Sequence, residues 1–314
     1  MWIYTLRRLG LSIVIISVAM AMLFLMIYLV PGDPASIALG PRATPEMREA
    51  LRAKMGLDQP IPIQFINFFW NVLQGDLGID VWSNRSVSVI VSEALPYTLM
   101  LIFTGLGWAI LIGIPMGCYS AIRRNSWIDK LIGVLSVSVI AVPSFIVALY
   151  ALLVFAVALQ VLPAIGAGEQ GDYLDQASHL ILPSFAVGLG WVGYLARLVR
   201  ASMLEIMGEN YIRTARAFGL TENTIVYRYA LKLAVLPTVA LLGVGVGSTL
   251  SGAVFAEIVF ARPGIGKLVY DAVITRNYPV VMGAVLVTTL LIVVFALIAD
   301  LLAAWLDPRV RATL

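Results

Sequence analysis

The sequence holds few side chains that could carry out covalent chemistry. It contains one histidine, His179, and one cysteine, Cys118, and the cysteine stands in an apolar run. A nucleophile needs a base beside it and a metal needs several ligands, so few enzyme sites remain open. A disulfide within the chain is excluded because it needs two cysteines. The sequence therefore predicts no catalytic residue and no metal site, and His179 is interpreted as a residue near the start of a helix.

A phosphate-binding loop of the kind used by ATPases is also missing from the sequence. That loop has the pattern G-x-x-x-x-G-K-[ST], in which glycines let the backbone approach the phosphates and a hydroxyl holds magnesium. The nearest match is Gly266-Lys267, but Ala261 replaces the first glycine and Leu268 replaces the hydroxyl residue. Energy for any transport must therefore come from another chain or from an ion gradient.

The composition indicates a membrane protein. The chain has 314 residues, of which 61% are hydrophobic and 12% are charged, whereas a soluble globular protein carries about 25% charged residues. The net charge of +3 is too small to indicate nucleic-acid binding. We predict an all-α membrane protein with six transmembrane helices, because six apolar stretches are long enough to cross a bilayer. They are 9–30, 95–122, 131–162, 180–196, 233–260 and 280–304. The third is long enough to tilt or to extend beyond the lipid, and Pro143 is expected to bend it.

The basic residues predict the topology, because they collect on the cytoplasmic side of membrane proteins. They cluster before the first stretch, between the second and third, within 201–234 and after the sixth. The other side has the charge-mixed segment 31–94 and the acidic loop 169–175. We therefore expect both termini in the cytoplasm. The predicted parts are an N-terminal transmembrane helix (1–30), an extracytoplasmic segment (31–94), a transmembrane core (95–305) that contains 201–234, and a cytoplasmic tail (306–314).

The extracytoplasmic segment is predicted to contain two short helices. Thr44 caps the first, followed by proline and glutamate, and Gly56 ends it. The second covers 61–73 and is rich in phenylalanine and tryptophan, which suit a membrane interface or a packed cap on the helix bundle. A docking surface for an external partner is compatible with both interpretations.

The polar segment 201–234 is predicted to form a helix–turn–helix on the cytoplasmic side. The helix of the fourth stretch is expected to continue to about Phe218, and Gly219 then permits a left-handed turn. Tyr211, Ala215 and Phe218 recur at spacings of four and three, so we expect them to share a face. Two interpretations of this segment stay open. It is either an amphipathic linker that lies on the lipid surface or a binding site for a soluble partner.

Small and hydroxyl residues in the fifth stretch indicate a wall of a transport pathway or a close packing seam between helices. Gly243, Gly247 and Ser251 form one row at a spacing of four, and Ser248 and Gly252 form the adjacent row. In the third stretch, further hydroxyls are candidates for the pathway. They are Ser136, Ser138 and Ser144.

An ion-coupled secondary transporter is the alternative to an ATP-driven one. Such carriers usually hold ionisable residues inside the membrane, and the centres of the six stretches have none. Glu257 and Asp300 lie near the ends, where water or a neighbour reaches them. Sodium sites built from backbone carbonyls stay possible. Binding of an ATPase would favour the ATP-driven system, and proton-driven uptake by the purified chain would favour the carrier.

The string 211–220, YIRTARAFGL, followed by Leu236-Pro237, resembles the coupling loop of bacterial ABC-transporter permeases. The nearest branch is the dipeptide, oligopeptide and nickel importers. Landmarks of this branch occur along the whole chain. They are the strings LVPGDP (29–34), GLDQP (56–60), GDLG (75–78), LILP (180–183), EIVF (257–260), PGIG (263–266), NYPV (277–280) and DPRVR (307–311). The general permease motif begins Glu-Ala-Ala, whereas this chain has Arg213, Thr214 and Ala215, so no glutamate contact is expected there.

The resemblance implies a permease bundle of the type I importers, in a bacterial inner membrane. A second, similar permease would complete the pathway, and two cytoplasmic ATPase subunits would carry ATP and magnesium, so that this chain needs no cofactor. An external binding protein would deliver a dipeptide, oligopeptide, glutathione or nickel chelate. A coupling helix would sit in a groove of one ATPase. The coupling residues carried over by the resemblance are Tyr211, Arg213, Thr214, Ala215, Arg216, Phe218, Gly219 and Leu220.

Overall fold

The computed structural model describes residues 2–29, 39, 43–54 and 58–306, and this part of the chain is helical. No β-strand forms among these residues, where one isolated bridge joins Ile79 to Ser86. The predicted all-α fold is confirmed. The helices are α1 (Trp2–Leu29), α2 (Pro45–Lys54), α3 (Ile61–Leu73), α4 (Val87–Ile122), α5 (Trp127–Ala141), α6 (Ser144–Ala151), α7 (Tyr173–Met207), α8 (Asn210–Ala217), α9 (Glu222–Thr224), α10 (Leu231–Ala234), α11 (Leu236–Val259), α12 (Ile265–Ile274) and α13 (Tyr278–Leu306). π-helical turns follow α6 (Leu152–Ala158) and α9 (Ile225–Ala230).

Each of the six predicted stretches is helical over most of its described length. By length and apolarity, four helical segments of the described chain could cross a membrane, and a fifth is added if one bent pair counts as a single span. The four are Val87–Ile122, Tyr173–Met207, Glu222–Gly243 and Tyr278–Ala299. The apolar parts Leu9–Leu25 and Gly245–Val259 are shorter.

The third predicted stretch is broken rather than tilted. The pair Trp127–Ala141 and Ser144–Ala158 is bent by 96°. Pro143 explains the break, because a proline excludes the preceding residue from helical geometry and has no N–H to donate. Val142 accordingly has an extended backbone, with φ −86° and ψ 119°. The predicted bend at Pro143 is confirmed, and it is sharp enough to divide the stretch into two helices.

The chain divides into two compact units. The larger unit comprises Thr98–Arg262 and the chain from Phe295 onward, and the smaller comprises Trp2–Tyr97 and Pro263–Val294. In the larger unit α7 is central and packs against α5, α6 and α11. Glycines allow this close packing, since a Cβ on Gly117 of α4 would lie 2.5 Å from the carbonyl oxygen of Ala196 in α7.

The smaller unit carries the two short helices expected between the first and second stretches. The Thr44 hydroxyl accepts a hydrogen bond from the Met47 N–H (3.3 Å), so the predicted cap is confirmed. Helix α3 packs on α1 through Phe24, whose ring centroid lies 5.3 Å from that of Phe65. Gly56 and the strings 30–34 and 307–311 lie outside the described residues.

A polar contact fixes the loop before α4 to the loop before α13 in the smaller unit. The Asp80 carboxylate accepts hydrogen bonds from the backbone N–H groups of Trp82 and Ser83 (both 3.1 Å) and from the side chains of Ser83 and Asn277. Burial raises the pKa of Asp80, but the hydrogen bonds outweigh it and hold this pKa below its usual value. Asp80 therefore stays ionised and keeps both loops in place.

Candidate functional site

The predicted coupling loop, residues 201–234, begins in the last turns of α7. The sequence predicted one helix continuing to Phe218, but α7 ends at Met207 and α8 begins at Asn210. The Gly208 N–H donates to the carbonyl of Glu205 (3.1 Å), and Glu209 has an extended backbone (φ −68°, ψ 150°). The continuous-helix prediction was therefore wrong, because the helix closes at Gly208 and a separate helix of 8 residues starts beyond it.

Helix α8 is attached by two apolar side chains, Ile212 and Ala215, which are 0% and 9% exposed. They belong to a cluster that we call the anchor cluster. Its other members are Cys118 and Ala121 of α4, Val199 and Met203 of α7, and Ile225, Val226, Ala230 and Ala234 of the returning chain. Residues three apart lie on one side of a helix, so the opposite side of α8 is left free.

The exposed side of α8 differs from the expected face. Tyr211 and Ala215 lie four residues apart on one side of α8, with Ala215 buried and Tyr211 41% exposed, whereas Phe218 is 82% exposed and lies beyond the end of the helix. The reason is that α8 ends at Ala217, which puts Phe218 into the following turn. The remaining predicted coupling residues are exposed; they are Arg213, Thr214, Arg216, Gly219 and Leu220.

The turn after α8 is closed by the Gly219 backbone, with φ +78°. The Gly219 N–H donates to the carbonyl of Arg216 (2.9 Å), and the Leu220 N–H donates to that of Ala215 (3.2 Å). This pair of bonds is the Schellman motif, which needs a left-handed residue where Gly219 stands. The left-handed turn predicted at Gly219 is thus confirmed, and it holds Phe218 outward.

An ion pair bridges the same turn. The Arg216 guanidinium donates from Nε to Oε1 of Glu222 (2.7 Å) and from Nη2 to Oε2 (3.3 Å). Both side chains are exposed, so the pair adds little stability in water, but its two bonds fix the geometry. Burial, with a smaller effect of the Glu209 charge, raises the pKa of Tyr211 and keeps its phenol protonated. The exposed surface therefore combines a neutral phenol, a phenyl ring and arginines.

A cavity of about 580 Å³ lies in the larger unit between α5, α6, α7 and α11. Its polar groups are hydroxyls, and its aromatic groups belong to α7. The residues are Ile140, Val142, Ser144, Val147, Ala186, Val187, Gly190, Trp191, Tyr194, Leu241, Gly245, Ser248, Thr249 and Gly252. Trp191 lies directly over Gly245, where a Cβ would come within 2.5 Å of the indole ring. Among the lining residues that the structure describes, the Tyr194 phenol is the one ionisable side chain.

The structure brings some of the predicted pathway residues to this cavity and not others. Ser248 and Ser144 line it, with Gly252 of the predicted adjacent row. Gly243 instead faces α13, where an added Cβ would lie 1.7 Å from the Cβ of Ala299. Gly247 and Ser251 are also not among the lining residues.

The two other predicted hydroxyls of the third stretch lie away from the cavity. Ser136 is 2% exposed and sits in the seam between α5 and α7, where its carbonyl oxygen lies 2.6 Å from the Cβ position of Gly193. The Ser138 hydroxyl donates to the carbonyl of Val134 (3.0 Å) and borders a separate apolar groove. The cavity is therefore lined by the face of α11 that carries Gly245, Ser248, Thr249 and Gly252, and not by the predicted row that begins at Gly243.

The remaining ionisable residues considered above have local partners. Glu257 is completely buried, and the Thr98 hydroxyl donates to its Oε1 (2.6 Å). Nδ1 of His179, in the second turn of α7, lies 3.2 Å from Oδ1 of Asp175. The Asp300 side chain lies outside the described part of the chain.

Comparison with known proteins gives the family. Residues 113–312 match the family described as the binding-protein-dependent transport system inner membrane component, and residues 1–102 match its N-terminal membrane component. A putative peptide permease of Brucella suis biovar 1 is 37% identical over 99% of both chains. The glutathione transport system permease GsiC of Escherichia coli K12 is 35% identical over 98% of both.

A solved structure shares the fold. The inward-facing MetNI methionine ABC transporter superimposes with a TM-score of 0.59 over 69% of this chain and 96% of the other, at 18% identity. At that identity the likeness concerns the fold alone, whereas the two family matches together extend over nearly the whole sequence. The chain therefore belongs to the family of inner-membrane components of binding-protein-dependent transport systems.

Proposed function

We propose that this chain is the permease subunit of an ATP-driven importer of short peptides or of glutathione. The observation that supports this most strongly is its 37% identity over 99% of its length to a relative named as a peptide permease, beside relatives named as glutathione permeases. As a membrane component of a transport system, the chain is not itself an enzyme. The comparisons give no support to the ion-coupled alternative or to nickel as cargo.

The partners are assigned from the family of the chain, and one of them also from an exposed surface. Phe218 is 82% exposed and Arg213 on the preceding helix is exposed, whereas the Arg216 charge is paired with Glu222. This surface fits a partner with an apolar groove and an acidic group at its rim. We assign this groove to one of two ATPase subunits, which would hold ATP and magnesium. A second permease subunit would enclose the pathway, an external binding protein would deliver cargo, and both termini would lie in the cytoplasm.

The cavity between α5, α6, α7 and α11 is the proposed contribution of this subunit to the pathway. Its size of about 580 Å³ suits a small ligand. The Ser248 and Thr249 hydroxyls donate to the carbonyl of Gly245 (3.0 and 2.7 Å), so their oxygens are left as acceptors for N–H groups of the cargo. The Ser144 hydroxyl lines the same wall, and Trp191 offers an apolar surface. Such a wall contacts the backbone of a peptide cargo and does not distinguish the charges of the cargo's side chains.

Reconstituted transport tests this proposal. The complex of this chain with its partner permease, ATPases and binding protein would be placed in proteoliposomes and supplied with radiolabelled glutathione or Ala-Ala. We expect uptake that needs ATP hydrolysis and persists when ionophores collapse all ion gradients. An ATPase variant without hydrolysis is the control. Uptake that ionophores abolish and ATP does not restore would refute the proposal in favour of an ion-coupled carrier.

A further inference from the structure

A buried carboxylate lies beside the anchor cluster and is not accounted for by the family resemblance. Asp129, in the first turn of α5, is 5% exposed. The Arg200 guanidinium of α7 donates to it twice, from Nε to Oδ1 (2.6 Å) and from Nη2 to Oδ2 (2.8 Å). This planar, bidentate arrangement is the geometry for which arginine is suited and lysine is not.

Two further donors complete the surroundings of Asp129. The Ser120 hydroxyl, near the end of α4, donates to Oδ1 (2.5 Å), and the Asn125 N–H donates to Oδ2 (2.9 Å). Burial of a charge is costly unless it is paired and hydrogen-bonded. Here both carboxylate oxygens are satisfied, and one side chain therefore joins α4, the following loop, α5 and α7.

The ion pair lies next to the attachment of α8. Ser120 adjoins Ala121 of the anchor cluster, and Arg200 adjoins Val199. Gly117 and Ala196 bring α4 and α7 into backbone contact just above. Helix α8 packs on the π-helical turn Ile225–Ala230, which contacts α7, and the anchor cluster joins both to α4. Asp129 ties the start of α5 to α4 and α7 by directional bonds.

The far end of α5 reaches the cavity. Ile140 of α5 and Val142 at the 96° bend line it, and α6 continues the wall with Ser144. Between its two ends α5 packs closely on α7, where the carbonyl oxygen of Ser136 lies 2.6 Å from the Cβ position of Gly193. In the described part of these two helices, the Asp129–Arg200 pair is the directional side-chain link that fixes the start of α5 to α7.

We propose that the Asp129–Arg200 pair is a positioning element that transmits movement of the coupling helix to the broken helix α5–α6. The inference rests on the proposed function, since it concerns how ATPase movement reaches the pathway. With the pair intact, α8 and the start of α5 move together when the ATPases close. Without it, α8 moves and α5 lags, so that ATP is hydrolysed with little transport.

Matched variants separate this role from plain stabilisation. Asp129→Asn removes the charge and keeps one of the two oxygens, so it can accept from Ser120 or from Asn125 but not from both in the present geometry. Arg200→Lys keeps the charge but loses the bidentate fork. The double variant Asp129→Asn/Arg200→Met removes both charges, which leaves no uncompensated one, so thermal stability should return. Arg197→Met, an exposed arginine three residues before Arg200, is the control.

The measured quantity is cargo taken up per ATP hydrolysed by the assembled complex, with glutathione and Ala-Ala as probes. We expect this ratio to fall about fivefold or more in Asp129→Asn and in the double variant, a typical size for coupling between sites. The ratio for Arg200→Lys should lie between those of Asp129→Asn and the parent, and the ratio for Arg197→Met should equal that of the parent. Recovery of the ratio together with stability in the double variant would show a structural role only and overturn the inference.

A distance measurement tests the same inference without cargo. Spin labels on cysteines at Lys130 and Thr214, both exposed, would be placed in a Cys118→Ser background. We expect one unchanged distance in the nucleotide-free and vanadate-trapped complex, and a shift between the two states in Asp129→Asn. A distance that shifts equally in both proteins would overturn the inference. Absence of ATPase binding altogether would instead refute the proposed function.

Discussion

At the scale of single residues, the coupling turn depends on Gly219. Its φ of +78° lies in the left-handed region, which costs other residues about 1–2 kcal/mol. This residue was predictable because a helix followed by glycine and a new cap is a local signal. Its consequence, the exposure of Phe218, was not predictable, since it depends on α8 ending at Ala217.

Replacing Gly219 with proline should uncouple transport from hydrolysis. Proline fixes φ near −65° and has no N–H to donate to the carbonyl of Arg216, so the left-handed turn and its hydrogen bond are both lost. We expect the membrane part to assemble while uptake falls severely, and Gly219→Ala to lose less. The measurement is uptake beside ATPase activity in the reconstituted complex. Parent levels of both activities in the proline variant would show that the turn is not needed.

At the scale of elements, the face of α11 that lines the cavity could not be predicted from the sequence. Small residues suit a packing seam and a pathway equally well, so the sequence could not decide which row of α11 faces the cavity. The structure turns Gly243 toward Ala299 and Ser248 toward the cavity. The Asp129–Arg200 pair was missed for a related reason, because its members are 71 residues apart and carry no local pattern.

Leucine substitutions on two faces of α11 should therefore fail in different ways. Gly243→Leu forces a side chain into Ala299, and overpacking of this kind typically costs about 1–3 kcal/mol. We expect lower yield and a lower melting temperature of the complex. Ser248→Leu should assemble and hydrolyse ATP, but take up less cargo, with the larger loss for glutathione than for Ala-Ala. The reverse pattern would place the pathway on the Gly243 face.

At the scale of the whole molecule, the all-helical membrane fold was predictable because apolar stretches must match the bilayer. The break at Pro143 was also signalled by the sequence, but its angle of 96° was not, since packing against α7 sets it. The division into two units, with α4 and α13 contributing to both, could not be read from hydropathy. The predicted boundaries at 30, 94 and 305 stay predictions.

Sidedness can be measured with single cysteines in a Cys118→Ser background. Tyr173 and Asn223 are both exposed, and neither has a positive φ that a cysteine would adopt only with strain. From the distribution of arginines we expect an impermeant thiol reagent, added to cells with a permeabilised outer barrier, to label position 173 only. Broken cells, where both positions should react, are the control. Labelling of position 223 in intact cells would reverse the topology.

The most direct test of the account is photocrosslinking from Phe218. A photoreactive phenylalanine at this position, in the assembled complex, should capture an ATPase subunit. The reason is that Phe218 is 82% exposed in the turn after α8, where we propose that the ATPase binds. The matched control is Leu174, which is 84% exposed at the predicted outer end of α7 and should capture no ATPase. Capture of the ATPase from 174, or only lipid adducts from 218 in a complex that hydrolyses ATP, would contradict the account.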